Sequence, residues 1–585
     1  MFFFPRKAVV VMALTVITFS VLVLGNSNNN HNIFSFLVLQ DLDVYGATTQ
    51  TSSNNSNANS NDNKSLLITH GIASGDVTNQ SAVIWSRANK EAQMHVEYDT
   101  NFNFSEPNSE TALANQTTDY TAHAKLEGLS PDTRYYYRVW FSSMASPSPS
   151  SFNYININGS MVSDTLVGSF RTAPISSTTL SSSAKKPINF IFAADLGGQK
   201  YCRQVDNGGY SIFSKMKELS PDFFIANGDM IYAGDRCPAD GPDGPGVGWQ
   251  NIPGNFSGIA DPNINWNNMT QIRDIYLKHW QYNRADPYLQ NFLKNTSMYS
   301  QWDDHEVIND FGALWERWNS FNIDRQGYPN IVDAGREAFF NYSPTEKNLD
   351  EPNRIYRSFN WGQDLDLIII DARSYRSPNN MTDTPENNKT MLGREQLQWL
   401  KQSLLNSKAA WKIISSDVPI SVPTGANASI LGRDGWANGN ETNFSSKTGF
   451  ERELQGLLKF LDDNNIKNIV FVTTDVHFPS NIRYEVDTNG DGDRLVFHEL
   501  ISGPLSAFRF GMPGPGGGGE VPLPKLDTTF NPQILYQEGG IFNFGYVKIQ
   551  NIPEDDSNDK AHLIAEVRDN DGLVRPNSLL DLTPQ

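Results

Sequence analysis

Phe223-Phe224-Ile225-Ala226-Asn227-Gly228-Asp229-Met230-Ile231-Tyr232 is the stretch that decides how this chain is read. Four apolar residues of strand type run into an Asn-Gly turn, and the turn delivers a carboxylate and, three residues on, a phenol. The same arrangement recurs on both sides of it. Asp195 follows the apolar run Ile188 to Ala194, and Asp303, Asp304 and His305 stand in Trp302-Asp303-Asp304-His305-Glu306. Asp417 follows Ile413-Ile414, and Asp475 with His477 follows Ile469-Val470-Phe471-Val472. Taken singly, an Asp after a strand is a turn residue or a helix cap. Several in succession point to one site, because open α/β sheets bind ligands outside the carboxyl ends of their strands.

The segments between fit such a sheet. Leu365 to Ile370 and Trp411 to Ile414 are further short apolar runs. Tyr210 to Leu219, Gly393 to Leu405 and Phe450 to Leu461 carry Leu, Ile or Met at helical spacing. An α/β region is therefore expected over 188–585. Before it, residues 67–174 read as all-β. Ser81 to Trp85 and Met94 to Tyr98 alternate between turn signals, and Leu126 to Val139 holds a Pro turn followed by a Tyr-rich strand. Two polar stretches, 48–66 and 175–187, are too poor in apolar residues to order themselves and read as linkers.

At 585 residues the chain is too long for one core. Its formal charge is −19 with no basic run after Lys7, which argues against a nucleic-acid partner. Arg6 and Lys7 precede an uncharged apolar run from Ala8 to Leu24, so residues 1–47 read as a cleaved export signal or as a membrane anchor. Sequons at Asn63, Asn79, Asn115, Asn158, Asn255, Asn268, Asn388 and Asn440 agree with an extracellular or cell-surface protein, although an Asn-rich chain generates them by chance. The two cysteines, Cys202 and Cys237, follow the first two strand motifs, and an oxidising compartment would join them.

The sequence resembles the calcineurin-like metallophosphoesterases, specifically the PhoD-like alkaline phosphatase and phosphodiesterase family, with purple acid phosphatases as cousins. The resemblance rests on Gly71-Ile72-Ala73-Ser74-Gly75-Asp76, Gly228-Asp229-x-x-Tyr232, Trp302 to Val307 with Asn309-Asp310, Asp371-x-Arg373-x-Tyr375-Arg376, and Asp475-Val476-His477. It implies a fibronectin-III-like sandwich followed by an α/β metallophosphoesterase domain of two mixed sheets flanked by helices. The Pro turn and Tyr-rich strand would form the corner in which a Tyr hydroxyl bonds back to the turn.

The resemblance also implies roles. Asp229 would bridge two metal ions. Asp195, Tyr232 and His477 would complete one site, and Asp304, Asp417 and Asp475 the other. The family's Cys ligand at the first strand end is absent here, where Asp195 and Gly197 stand, so metal identity is not inherited; the competing reading makes Cys202 its replacement. Carboxylates, phenolate and imidazole suit Fe(III), and carboxylates alone suit Ca(II), with zinc, manganese or magnesium open at the second site. A hydroxide bridging the two ions would attack a phosphate ester, either mono- or diester. His305 would assist the leaving group, and Arg373 and Arg376 would hold a phosphate oxygen, unless nearby carboxylates engage them structurally. The alternatives are a phosphodiesterase or phospholipase for one polymer or lipid, and a non-catalytic surface binding protein. Asp487 to Asp493 imitates the start of an EF-hand loop, but flanking strands favour a polar hairpin turn. Gly516 to Gly519 reads as a flexible loop that could border the site.

Overall fold

Runs that alternate and runs that are apolar throughout occupy different parts of the computed structural model, which describes residues 65–144, 162–176, 186–312, 327–424, 434–437, 449–513, 520–551 and 561–585. The expected signal or anchor and nearly all of the first linker lie outside these residues, as do 177–185 of the second linker and Gly516 to Gly519. Among the described residues no helix is long and apolar enough to cross a membrane.

Seven strands come first: β1 (Ile68–Gly75), β2 (Ala82–Ala88), β3 (Ala92–Asp99), β4 (Asn108–Ala114), β5 (Thr121–Leu126), β6 (Arg134–Ser142) and β7 (Leu166–Arg171). In β6, Tyr135, Tyr137, Val139 and Phe141 are buried while Tyr136, Arg138 and Trp140 are only partly so, as expected of a strand with one face on a core. A sheet in the order β4-β3-β6-β7 shares that core, with Met94, Val96, Val139 and Phe141, with the trio β1-β2-β5, which adds Ile72 and Ile84. At the corner the Ser130 backbone N–H donates to the Tyr135 hydroxyl at 2.9 Å.

The second part contains β8 (Ile188–Ala193), α1 (Ile212–Glu218), β9 (Phe223–Asn227), α2 (Met269–Arg284), α3 (Pro287–Leu293), β10 (Ser297–Gln301), α4 (Tyr328–Tyr342), β11 (Arg357–Trp361), β12 (Leu365–Ile369), α5 (Gly393–Asn406) and β13 (Trp411–Ser415). Then follow α6 (Glu451–Asp463), β14 (Ile469–Thr473), β15 (Ser480–Val486), β16 (Leu495–Ile501), β17 (Gln533–Gln537), β18 (Asn543–Asn551), β19 (Ala561–Asp569) and β20 (Leu580–Leu582). They build two mixed sheets. One has nine strands in the order β20-β19-β18-β8-β9-β10-β1-β2-β5, the other seven in the order β11-β12-β13-β14-β16-β15-β17.

Between the sheets lie Phe190, Phe192, Ile225 and Tyr299 from one and Trp361, Leu367, Ile413, Val470 and Val472 from the other. Helices cover the remaining faces. Phe213, Tyr276, Trp280 and Phe339 pack beside Ile191 and Phe224, whereas Leu400, Leu404, Leu454, Leu457, Leu458 and Leu461 pack beside Ile414 and Phe471. Covered on both faces, the central strands have little polar side to show, which is why β9 and β14 read as apolar runs and β8 is interrupted only at the half-buried Asn189. Strand β10 is the exception. Its sequence Ser-Met-Tyr-Ser-Gln is mostly polar, yet all of it is buried, and Gln301 donates to Ile370 O, just beyond β12 of the facing sheet, at 2.7 Å.

The nine-stranded sheet runs across the expected boundary between the all-β and α/β parts. Strand β1 pairs in parallel with β10, Gly75 opposite Met298. A Cβ at Gly75 would stand 2.5 Å from Met298 O and 2.3 Å from Pro344 O, so only glycine allows this approach. Residues 63–585 accordingly form one compact unit. Asp487 to Asp493 closes the antiparallel pair β15–β16 as a polar hairpin turn, the Asp487 carboxylate accepting the Gly490 and Gly492 N–H groups.

Candidate metal centre

Strands β8, β9 and β10 are mutually parallel, as are β12, β13, β14 and β16, so each sheet collects its strand ends on one side. Asp195 leaves β8, Asp229 leaves β9, Asp303 and Asp304 leave β10, Asp417 leaves β13, and Asp475 and His477 leave β14. Asn227 Nδ2 donates to Ser415 Oγ at 2.8 Å and ties the two sets together beneath the site. Asp195, Asp229, Asp475 and His477 all adopt positive φ, between 51° and 73°. Such backbone is disfavoured for residues with a Cβ and gathers at functional sites.

Ligand-type atoms of Asp195, Asp229 and His477 lie within 4.8 Å of one another, and so do those of Asp229, Asp304 and His305, of Asp303, Asp304 and Asp475, and of Asp304, Asp310 and Asp434. Asp229 belongs to the first two groups and Asp304 to the last three. His477 Nδ1 sits 2.6 Å from the Phe508 carbonyl, so that nitrogen carries the proton and Nε2 offers its lone pair to the site. The Tyr232 hydroxyl donates to that Nε2 at 2.9 Å and lies 3.4 Å from Asp195 Oδ1. The Tyr232 ring stacks on His305, centroids 4.0 Å apart.

Polar atoms left over in this well fit metal ions. Asp229 Oδ2, Asp303 Oδ2, Asp304 Oδ1, Asp417 Oδ2, Asp475 Oδ2 and His305 Nδ1 are buried without a hydrogen-bond partner. Interiors rarely tolerate one such atom, and a cluster of carboxylate oxygens and an imidazole nitrogen is a donor set for hard or borderline cations. Electrostatics agree. Burial pushes Asp195 and Asp417 up to about 7, and raises Asp229, Asp303 and Asp475 well above the usual carboxylate range, with Asp304 adding repulsion to Asp229 and Asp475. Burial holds His477 down at about 4, ready to coordinate as neutral imidazole. Protons must supply the missing positive charge until cations do.

Four of the expected site residues stand outside these groups: Tyr232, held against His477 and Asp195, and Asp417, Arg373 and Arg376. Asp417 accepts from Gln301 Nε2 and Ala372 N, both at 3.3 Å, and its Oδ2 lies 3.7 Å from Arg373 Nε. Arg373 and Arg376 are fully buried and meet on opposite oxygens of Asp434, each at 2.6 Å; Arg373 also pairs with Asp303. Their guanidinium groups are thus engaged by carboxylates of the well itself. Sequence reasoning left out Asp303, Asp310, Asp434 and Glu306 as site residues. Asp303, Glu306 and Asp310 all lie in the motif region Trp302 to Asp310, where the doublet Asp303-Asp304 is the available signal. Asp434 lies in a loop with no periodic context, so nothing local marks it.

Cys202 and Cys237 form a disulfide, with Cα atoms 5.9 Å apart. It joins the loops beyond Asp195 and Tyr232, so Cys202 is not a replacement metal ligand.

Two facing mixed sheets with a carboxylate and imidazole well at their strand ends define a metallophosphoesterase. The profile of the PhoD-like phosphatases matches residues 192–557, and that of the PhoD-like phosphatase N-terminal domain matches residues 52–174. Alkaline phosphatase D of Bacillus subtilis (strain 168) is 24% identical over 501 residues, 80% of this chain and 73% of that protein. A solved structure of PhoD superposes with TM-score 0.61 at 19% identity, covering 89% of this chain and 93% of the other. Purple acid phosphatase PPD1 from yellow lupin gives 0.49 at 12% identity, covering 89% and 74%. The chain belongs to the PhoD-like phosphatase family and is a phosphoric ester hydrolase.

Proposed function

We propose that this is an exported phosphoesterase that hydrolyses phosphate monoesters, diesters or both with two or more metal ions sharing Asp229. The observation that carries the reading is the set of buried, unpartnered carboxylate oxygens arranged around that one residue. Asp195, Tyr232 and His477 hold one ion with it, for which the phenol and imidazole favour Fe(III). Asp304, Asp475 and Asp417 hold the second, for which carboxylates favour Ca(II), with zinc, manganese or magnesium as substitutes. Bound cations supply an acidified water as nucleophile and neutralise charge on the phosphoryl group. His305, its ring stacked on Tyr232, stabilises or protonates the leaving oxygen. Arg373 and Arg376 act through Asp303 and Asp434, which they hold in place, and not by touching substrate.

The all-β part is read as fibronectin-III-like, supported by its three-plus-four strand arrangement and the Tyr135 corner. Export is supported by the charged and apolar N-terminus and by the disulfide. The deciding experiment measures phosphate release from simple mono- and diesters by chelated protein reloaded with defined metals. Asp229→Asn should abolish turnover, lose metal from both groups together and keep the native circular dichroism. Near-normal turnover in that variant would remove the proposed centre.

A further inference from the structure

Glu306 is buried completely, yet it is neither a ligand-range member of the well nor paired with a cation. Its carboxylate accepts three backbone N–H groups. Oε2 takes Asp229 N at 2.9 Å and Asp303 N at 2.8 Å, and Oε1 takes Met230 N at 2.7 Å. The bland account is a capping box, in which the third residue of a short helical turn bonds back to the residue before the turn. That explains the Asp303 bond within the turn Asp304–Glu306. It does not explain the two bonds to Asp229 and Met230, which belong to another strand end.

Two further observations bear on the same junction. The His305 N–H returns a bond to Asp229 Oδ1 at 3.0 Å, leaving Oδ2 without a partner. A Cβ on Gly228 would stand 2.4 Å from the Asp303 Cβ and 2.7 Å from Asp303 N, so the two loops touch backbone to backbone. Asp229 is thereby held at both ends, its peptide by Glu306 and one carboxylate oxygen by the turn that carries His305. We propose that Glu306 is a positioning residue that locks the shared carboxylate of Asp229 and the imidazole of His305 into one rigid unit. The inference rests on the reading of Asp229 as the shared ligand.

The test is Glu306→Gln in the full chain. An amide keeps one acceptor oxygen and turns an NH2 group towards a peptide N–H that needs an acceptor, so at least one clamp bond is lost. Groups that orient ligands are worth about 10–100-fold in metal affinity. Chelated Glu306→Gln should bind added Ca²⁺ in calorimetric titration with that loss while its circular dichroism stays native. After metal loading its rate should fall further on alkyl than on nitrophenyl phosphates, because His305 moves with the clamp. If Glu306→Gln does not fold, Glu306→Asp, which keeps the carboxyl group and shortens the reach, is measured in its place with the same expectation. Ca²⁺ affinity and leaving-group dependence equal to the parent would overturn the clamp. A metal-loaded parent protein that cleaves no phosphate ester would instead overturn the functional reading.

Discussion

Burial sets the chemistry of the individual site residues. Asp195 and Asp417 are pushed up to about 7 and Glu306 to about 8, in each case chiefly by desolvation. A carboxyl whose folded value exceeds its unfolded one adds stability below the unfolded value and loses it as pH rises through the folded value. His477, held at about 4, contributes the opposite way, but only below its unfolded value near 6.5. In the metal-free protein the window from about pH 6.5 to 8 therefore belongs to the carboxyls, and the melting temperature should fall across it. Bound cations should flatten that slope. Calorimetry of chelated and reloaded protein checks both, and a metal-free melting temperature that rises towards pH 8 would contradict the assignment. Tyr232 offers a second measurement. If its phenolate ligates Fe(III), the purified protein should absorb visible light and Tyr232→Phe should bleach it without displacing the second cation. Zinc in that position would give no band, so a colourless, iron-free, active enzyme would transfer the site to another metal.

Elements whose burial pattern is simple were readable from the chain, and those with compensated polarity were not. Strands β9 and β14 are apolar over most of their length because both faces are covered, β8, β12 and β13 are interrupted only at the half-buried Asn189, Asp366 and Lys412, and α6 shows its stripe of Leu454, Leu457, Leu458 and Leu461 directly. Asp195, Asp229, Asp304, Asp475 and His477 were visible because each follows such a strand or a recognisable motif. Strand β10 was hidden because Gln301 and Ser300 are buried, and Asp434 because it reaches the well from a loop. Neither property leaves a period in the sequence. Gly75 stands in the Gly71 to Asp76 motif, but the need for glycine there arises from the β1–β10 pairing. Gly75→Ala would force its Cβ onto the Met298 and Pro344 carbonyl oxygens, and overpacking of this kind costs about 1–3 kcal/mol. Urea unfolding should show that loss, whereas an unchanged midpoint would mean the strands separate at little expense.

On the scale of the molecule, the all-β part is built into the α/β part. Trp85 Nε1 donates to Asn341 O at 2.7 Å, Arg171 pairs with Asp222 at 3.1 Å, and Arg357 of β11 grips Asp76 at 2.8 Å. A truncated chain of residues 187–585 would leave Asp222 and Arg357 without these partners and expose the whole β10 edge to other molecules. It should be recovered as aggregate, measured by soluble yield and size-exclusion chromatography. A soluble, monomeric truncation with full activity would show that the continuous sheet is dispensable.

The pairing order of that sheet constrains how the chain comes to exist. Gly75 on β1 waits for Met298, and Phe192 on β8 waits for Gly545 on β18. Contacts this remote in sequence close slowly, and the strands that need them stay unpaired meanwhile. As the polypeptide emerges from its N-terminus, the strands β8 and β9 that lead into Asp195 and Asp229 come out long before the partner that covers their neighbouring edge. Newborn chains therefore carry an unpaired β8 edge until β18, close to the C-terminal end of the described strands, arrives to cover it.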